Sequence, residues 1–154
     1  MSTEEHGGQD ARTHIAQLNI ARALFDFDDP RMAAFLSLVD HVNAAADRAP
    51  GFVWRLQDSS GKLNRGRDAR EIVNLSVWQD VKALRDFVFS GVHKRAISKR
   101  KSWFMPPPML YSVMWRVPPG HLPTVEEGFG RLETLQRKGS CEEAFDWMCE
   151  EKPP

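Results

Sequence analysis

What this chain lacks narrows its reading first. It has no surplus of either charge: 21 lysines and arginines offset 21 aspartates and glutamates. Global electrostatics therefore gives no argument for nucleic acid or an anionic membrane as a partner. A net charge near zero also protects little against self-association, which suits an oligomer. Cysteine is scarce, with only Cys141 and Cys149, both near the C-terminal end. They form no CxxC pair and no metal-ligand spacing, so no metal site is expected. Two free thiols in a reducing compartment is the simplest reading of them. Long hydrophobic runs are missing too. No stretch is long enough to span a bilayer, and the opening MSTEEHGGQD has no apolar core of a signal peptide. Cytoplasmic location follows by default.

What remains is ordinary globular material: 154 residues, 42% hydrophobic and 27% charged. That length suits one domain able to bury a core without staples. Residues 1–12 are polar and glycine-rich and read as a disordered tail, leaving 13–148 as the domain.

The first ordered segment alternates Ala16, Leu18 and Ile20 with Ile15, Gln17 and Asn19, the period of a strand. Asp28-Asp29-Pro30 then starts a helix: an Asp cap precedes Pro at a position that needs no N–H. Met32, Phe35, Leu36, Val39 and Val42 recur at helical spacing as far as Ala49-Pro50-Gly51. Phe52 to Leu56 reads as a second strand. The polar loop over 57–69 that follows is long enough to be a lid or binding loop. Glu71 to Trp78 is a third strand, with Val73, Leu75 and Val77 on one face and Ile72, Asn74, Ser76 and Trp78 on the other. Asp80 caps the next helix, which Ser90-Gly91 interrupts and which resumes from Val92 to Lys101. A fourth strand follows from Met109 to Trp115, with Tyr111 and Val113 on one face and Ser112 and Met114 on the other. Thr124 and Glu127 form a capping box for a third helix ending at Gly139.

The order β-α-β-β-α-β is the split βαβ, ferredoxin-like motif of the α+β class, here with an extra C-terminal helix. Such a sheet carries its helices on one face. Apolar rows such as Leu18/Ile20 and Val73/Val77 then call for cover on the other, and a second copy supplies it in a dimeric α+β barrel.

Several segments resemble the antibiotic-biosynthesis-monooxygenase-like group of dimeric α+β barrels, and within it an uncharacterised branch. They are Asn74-Leu75-Ser76-Val77-Trp78, Leu84-Arg85-Asp86-Phe87-Val88, Ser90-Gly91-Val92-His93, Trp103-Phe104 and the run Gly120 to Glu127. The resemblance spans roughly residues 14–147. It implies a homodimer with a pocket between the sheet and its helices. The superfamily includes cofactor-independent oxygenases of aromatic polyketide-like substrates, haem degraders, and small decarboxylases or isomerases. The haem degraders combine an Asn on strand one with a Trp and a His further on. Asn19 meets the first, but the other two positions fall on Phe87 and Ala96, which makes haem the lesser alternative.

Three constellations carry the chemistry. Gln17, Asn19, Asn74 and Ser76 occupy alternate positions of strands one and three. Unpaired buried amides are costly, so four polar groups on one face suggest a polar-lined cavity, unless they bond to one another. His93 follows the Ser90-Gly91 break and could serve as a general base. The cations Lys94, Arg95, Lys99, Arg100 and Lys101 would favour its neutral form and could steady an enolate or phenolate. Trp54, Trp78, Phe87 and Trp103 suit a flat substrate, with Tyr111 beside them; ordinary core packing is the alternative for each. His121 reads as structural.

These features together predict a small biosynthetic enzyme for a hydrophobic, aromatic or polyketide-like substrate. Its chemistry would be cofactor-independent oxygenation, or proton transfer as in an isomerase or cyclase, with His93 and Asn19 as the catalytic pair. The alternative is a non-catalytic or haem-binding dimer that holds a small ligand.

Overall fold

A computed structural model describes residues 13–57, 63–64, 66–106 and 111–147, without the side chains of residues 92, 93, 96 and 97. The elements run β1 (His14–Arg22), a 3-10 turn (Pro30–Met32), α1 (Ala33–Arg48), β2 (Phe52–Arg55) and β3 (Glu71–Trp78). They continue with α2 (Val81–Val88), α3 (Gly91–Ser98), a second 3-10 turn (Arg100–Ser102), β4 (Ser112–Val117) and α4 (Val125–Lys138). The strands pair antiparallel in the order β2-β3-β1-β4. This is the ferredoxin-like α+β topology that the element order predicts, with β1 and β3 central.

Two of the three expected caps start their α-helices, while Asp29 opens the 3-10 turn ahead of α1, which begins at Ala33 with no side-chain cap from Met32. Asp29 accepts the backbone N–H of Arg31 at 2.8 Å beside Pro30. Asp80 accepts that of Ala83 at 2.8 Å. Thr124 accepts that of Glu127 at 3.1 Å, but only this half of the expected capping box forms. The Glu127 carboxylate instead takes the Trp115 indole N–H at 2.9 Å and contacts His121 at 2.8 Å.

The fourth strand also departs from its expected bounds. Pairing with β1 begins at Ser112, opposite Asn19, and runs to Val117 opposite His14. Met109 and Leu110, counted in the expected strand, lie outside the described residues. Tyr111 gives its carbonyl to the Ile20 N–H at 3.0 Å yet precedes the pleat, so its ring is not bound to the Val113 face.

The two faces of the sheet are covered differently. On one, Ala16, Leu18, Val73, Leu75, Val77, Val113 and Trp115 pack with Leu132 and Leu135 of α4. Gly128 lets the helix come this close: a Cβ there would sit 2.4 Å from Leu18 Cδ1. This is the face whose apolar rows suggested a second copy. The chain covers it itself, and Leu18, Val73 and Val77 are essentially inaccessible. On the other face, Ile15, Trp78 and Met114 pack with Leu84 of α2 and Ala46 of α1, and an aromatic group around Phe35, Trp103 and Phe104 closes the far end.

The described part of the 57–69 loop is tied to the sheet. Val73 N–H donates to the Asn64 carbonyl at 2.8 Å, and the Asn64 side chain donates to the Leu56 carbonyl at 3.0 Å. Arg67 pairs with buried Glu71 at 2.7 Å, and this hydrogen bonding holds the Glu71 carboxyl below its ordinary range.

Candidate functional site

Strand register builds the floor of the site. Gln17 lies opposite Ser76, and Asn19 opposite Asn74, across β1 and β3. Asn19 also faces Ser112 on β4. Directly opposed residues share a face, so two polar rows cross the centre of the sheet. Both rows line one cavity of about 290 Å³, near the lower end for small-ligand pockets. Its walls come from Phe35, Leu38, Val39 and Val42 of α1, Leu84, Phe87 and Val88 of α2, and the segment Arg100 to Phe104. This explains why Val39 and Val42 are only half-buried: they face the cavity.

The polar groups are unequally satisfied. Ser76 Oγ accepts the Trp78 indole N–H at 3.0 Å. Gln17 donates to Ser112 Oγ at 3.3 Å. Asn19 Oδ1 and Asn64 Oδ1 are buried with no partner among the described residues. Asn74 is exposed and stands at the opening. The aromatic wall is ordered by ring contacts. Trp78 stacks on Phe87 at 5.2 Å and meets Phe52 edge-on at 5.3 Å. Phe35 meets Phe104 edge-on at 4.8 Å and Trp103 at 5.5 Å. Arg55 is clamped to Asp47 through two hydrogen bonds of 2.7 and 3.1 Å, which keep the Asp47 carboxyl below its ordinary range.

Of the residues singled out from sequence, Gln17, Asn19, Asn74, Ser76, Trp78, Phe87, Trp103 and Tyr111 come together around this cavity. Trp54 does not. The β2–β3 pairing is irregular between Phe52 and Trp54, which leaves Phe52 on the cavity wall and sends Trp54 to the α4 face. His93 belongs to α3, and its side chain lies outside the described residues. His121 sits at the start of α4 against Glu127, away from the cavity. Sequence reasoning missed Asn43, Arg55, Asn64, Ser112 and Trp147, and it read Arg100 only as part of a basic cluster. The alternation Ser112/Met114 could have extended the polar row to strand four. Nothing local marks Asn43, which lies within the apolar helix α1.

Among the described residues no group of three or more His, Cys, Asp or Glu could hold a metal ion. No described helix is long and apolar enough to cross a membrane. Cys141 is a free thiol, and Cys149 lies outside the described residues.

A four-stranded antiparallel sheet in the order β2-β3-β1-β4, with a ligand-sized cavity beneath its helices, defines the class of protein: a ferredoxin-like α+β domain. The chain belongs to the family described as Domain of unknown function (DUF3291), whose model matches residues 14–154. No curated protein matches it. Among solved structures it is similar to a protein from Shewanella oneidensis, with 10% identity, a TM-score of 0.53, and coverage of 69% of this chain and 92% of that one. A conserved protein from Methanosarcina mazei gives 10% identity, a TM-score of 0.51, and coverage of 70% and 94%. A further similar structure is SnoaB, described as a cofactor-independent oxygenase from Streptomyces nogalater. It gives 20% identity, a TM-score of 0.48, and coverage of 73% and 96%.

Proposed function

We propose that this chain is a small enzyme acting on a hydrophobic, aromatic or polyketide-like substrate without a tightly bound cofactor. The observation that carries this reading is the pair of polar rows, Gln17/Ser76 and Asn74/Asn19/Ser112, laid across the floor of an otherwise apolar, aromatic-walled cavity. Aromatic walls hold a flat ring system by area and stacking. The amides and hydroxyls then fix its carbonyl and hydroxyl groups.

The chemistry begins with proton abstraction from a carbon activated by a neighbouring carbonyl or phenol, and His93 is the candidate base. The resulting carbanion is stabilised by hydrogen bonds to its oxygen. With O₂ as oxidant, a CH₂ group becomes a hydroperoxide and then a carbonyl: one oxygen atom stays on carbon and the other leaves as water. Without O₂, reprotonation or ring closure gives isomerisation or cyclisation.

A homodimer belongs to the same proposal. Because α4 covers the second face of the sheet, a partner copy would dock elsewhere than on bare strands.

The test is turnover of tricyclic phenols under ¹⁸O₂, read by mass spectrometry, for wild type, Asn19→Ala, Asn74→Ala and His93→Ala. Incorporation of one labelled oxygen that is lost in these variants supports the oxygenase form. A product formed equally under argon supports the proton-transfer form. Turnover unchanged in all three variants would sink the assignment of the site.

A further inference from the structure

We infer that the cavity is selective for planar aromatic anions and that Arg100 is the residue that sets this selectivity. The inference rests on reading the cavity as a ligand site and goes further by naming the ligand's charge. Among the described residues, two charged side chains line the cavity, Arg55 and Arg100, and both are cationic. Arg55 is neutralised by its two hydrogen bonds to Asp47. Arg100 has no carboxylate partner among the described residues, and its Nε is buried without any hydrogen-bond acceptor. That N–H is under-compensated: it has lost water and, among the described residues, gained no acceptor.

The surroundings specify what would compensate it. The Arg100 guanidinium carbon lies 5.4 Å from the Tyr111 ring centre and 5.6 Å from that of Phe104. A planar guanidinium set over aromatic rings with an N–H lacking an acceptor suits an anion that offers oxygens to its fork. Arg100 lines the same cavity as Asn19, Asn74 and Ser112. A carboxylate or ionised phenol on a flat ring would meet Arg100 while its remaining oxygens meet the amides. An acidic side chain in the wall would oppose such a ligand, and the described lining contains none.

The test titrates the full chain with 2-naphthoate and with its neutral isostere 2-naphthamide. Calorimetry and quenching of the cavity tryptophans Trp78, Trp103 and Trp147 read the binding. Wild type should bind the naphthoate at least about tenfold more tightly than the amide. Arg100→Gln should abolish that preference while holding the amide affinity within about twofold, and Arg100→Lys should keep part of it. Equal affinities for the two probes in wild type, or naphthoate binding unchanged in R100Q, would overturn the inference and leave the cavity reading standing. Failure of both probes to bind wild type would overturn the two together. Should R100Q unfold, R100K and the wild-type comparison of the two probes decide the matter.

Discussion

Neighbouring residues of β1 enter different environments. Leu18 is sealed beneath α4, with a glycine cut into the helix to receive it. Asn19, one position on, lines the cavity under α1, its Oδ1 without a partner among the described residues. One face of the sheet is a dry, interdigitated core, and the other is polar at its centre and open enough to hold a ligand. The same strands serve both, so the α4 face supplies the rigidity on which the cavity face depends. Substitutions on the two faces should therefore differ in kind: stability on one, ligand recognition on the other.

The largest effect should come from Trp115, which is fully buried and bonded to Glu127. Trp115→Ala should lower unfolding stability by about 3–5 kcal/mol in urea titrations. Gly128→Ala comes next, because its methyl would meet Leu18 at 2.4 Å. Overpacking there should cost about 1–3 kcal/mol, read the same way. On the cavity face the sign should reverse. Asn19→Leu replaces an unpaired buried oxygen and should leave stability unchanged or raise it by up to about 1 kcal/mol, while turnover is lost. Asn74 is exposed, so Asn74→Ala should change stability by no more than about 0.5 kcal/mol. The same variant should bind 3-hydroxy-2-naphthoate about three- to tenfold more weakly. A cavity-face variant that behaves like Trp115→Ala would break the comparison.

The smallest effect should be the pH-dependent contribution of Glu127 on the α4 face. Burial pushes the Glu127 carboxyl up, but hydrogen bonds from His121 and Trp115 outweigh it, and the group lies below its ordinary range. A depressed carboxylate stabilises the fold above its unfolded pKa, and that contribution is lost as pH falls through the folded value. Stability should thus decline on acidification across this window. Glu127→Gln should flatten the decline, as seen in melting temperature against pH.

Much of this fold could be read from the sequence, because period-two alternation and cap residues are local signals. β3 was legible to its end residues, Asp80 and Thr124 marked α-helix starts, and Asp29 marked the 3-10 turn ahead of α1. The cover of the second face was not legible. The capping box announced α4 but carried no information about where the helix docks, and apolar rows on strands look alike whether a second copy or the chain's own helix covers them. In the site, the amides of β1 and β3 stood out because polar residues interrupted an apolar pattern. Trp54 was misplaced because a one-residue irregularity in pairing exchanges the faces of everything beyond it. Arg100 looked like one member of a solvated basic run. Only the tertiary structure separates it from its neighbours, by setting it against Tyr111 and Phe104 without an acidic partner.

The most direct test of the two-faced sheet is side-chain amide and indole NMR during titration with 2-naphthoate. The amide signals of Gln17, Asn19 and Asn74 and the Trp78 indole should shift together, while the Trp115 indole stays fixed. Shifts at Trp115 with the amide rows unmoved would contradict the account.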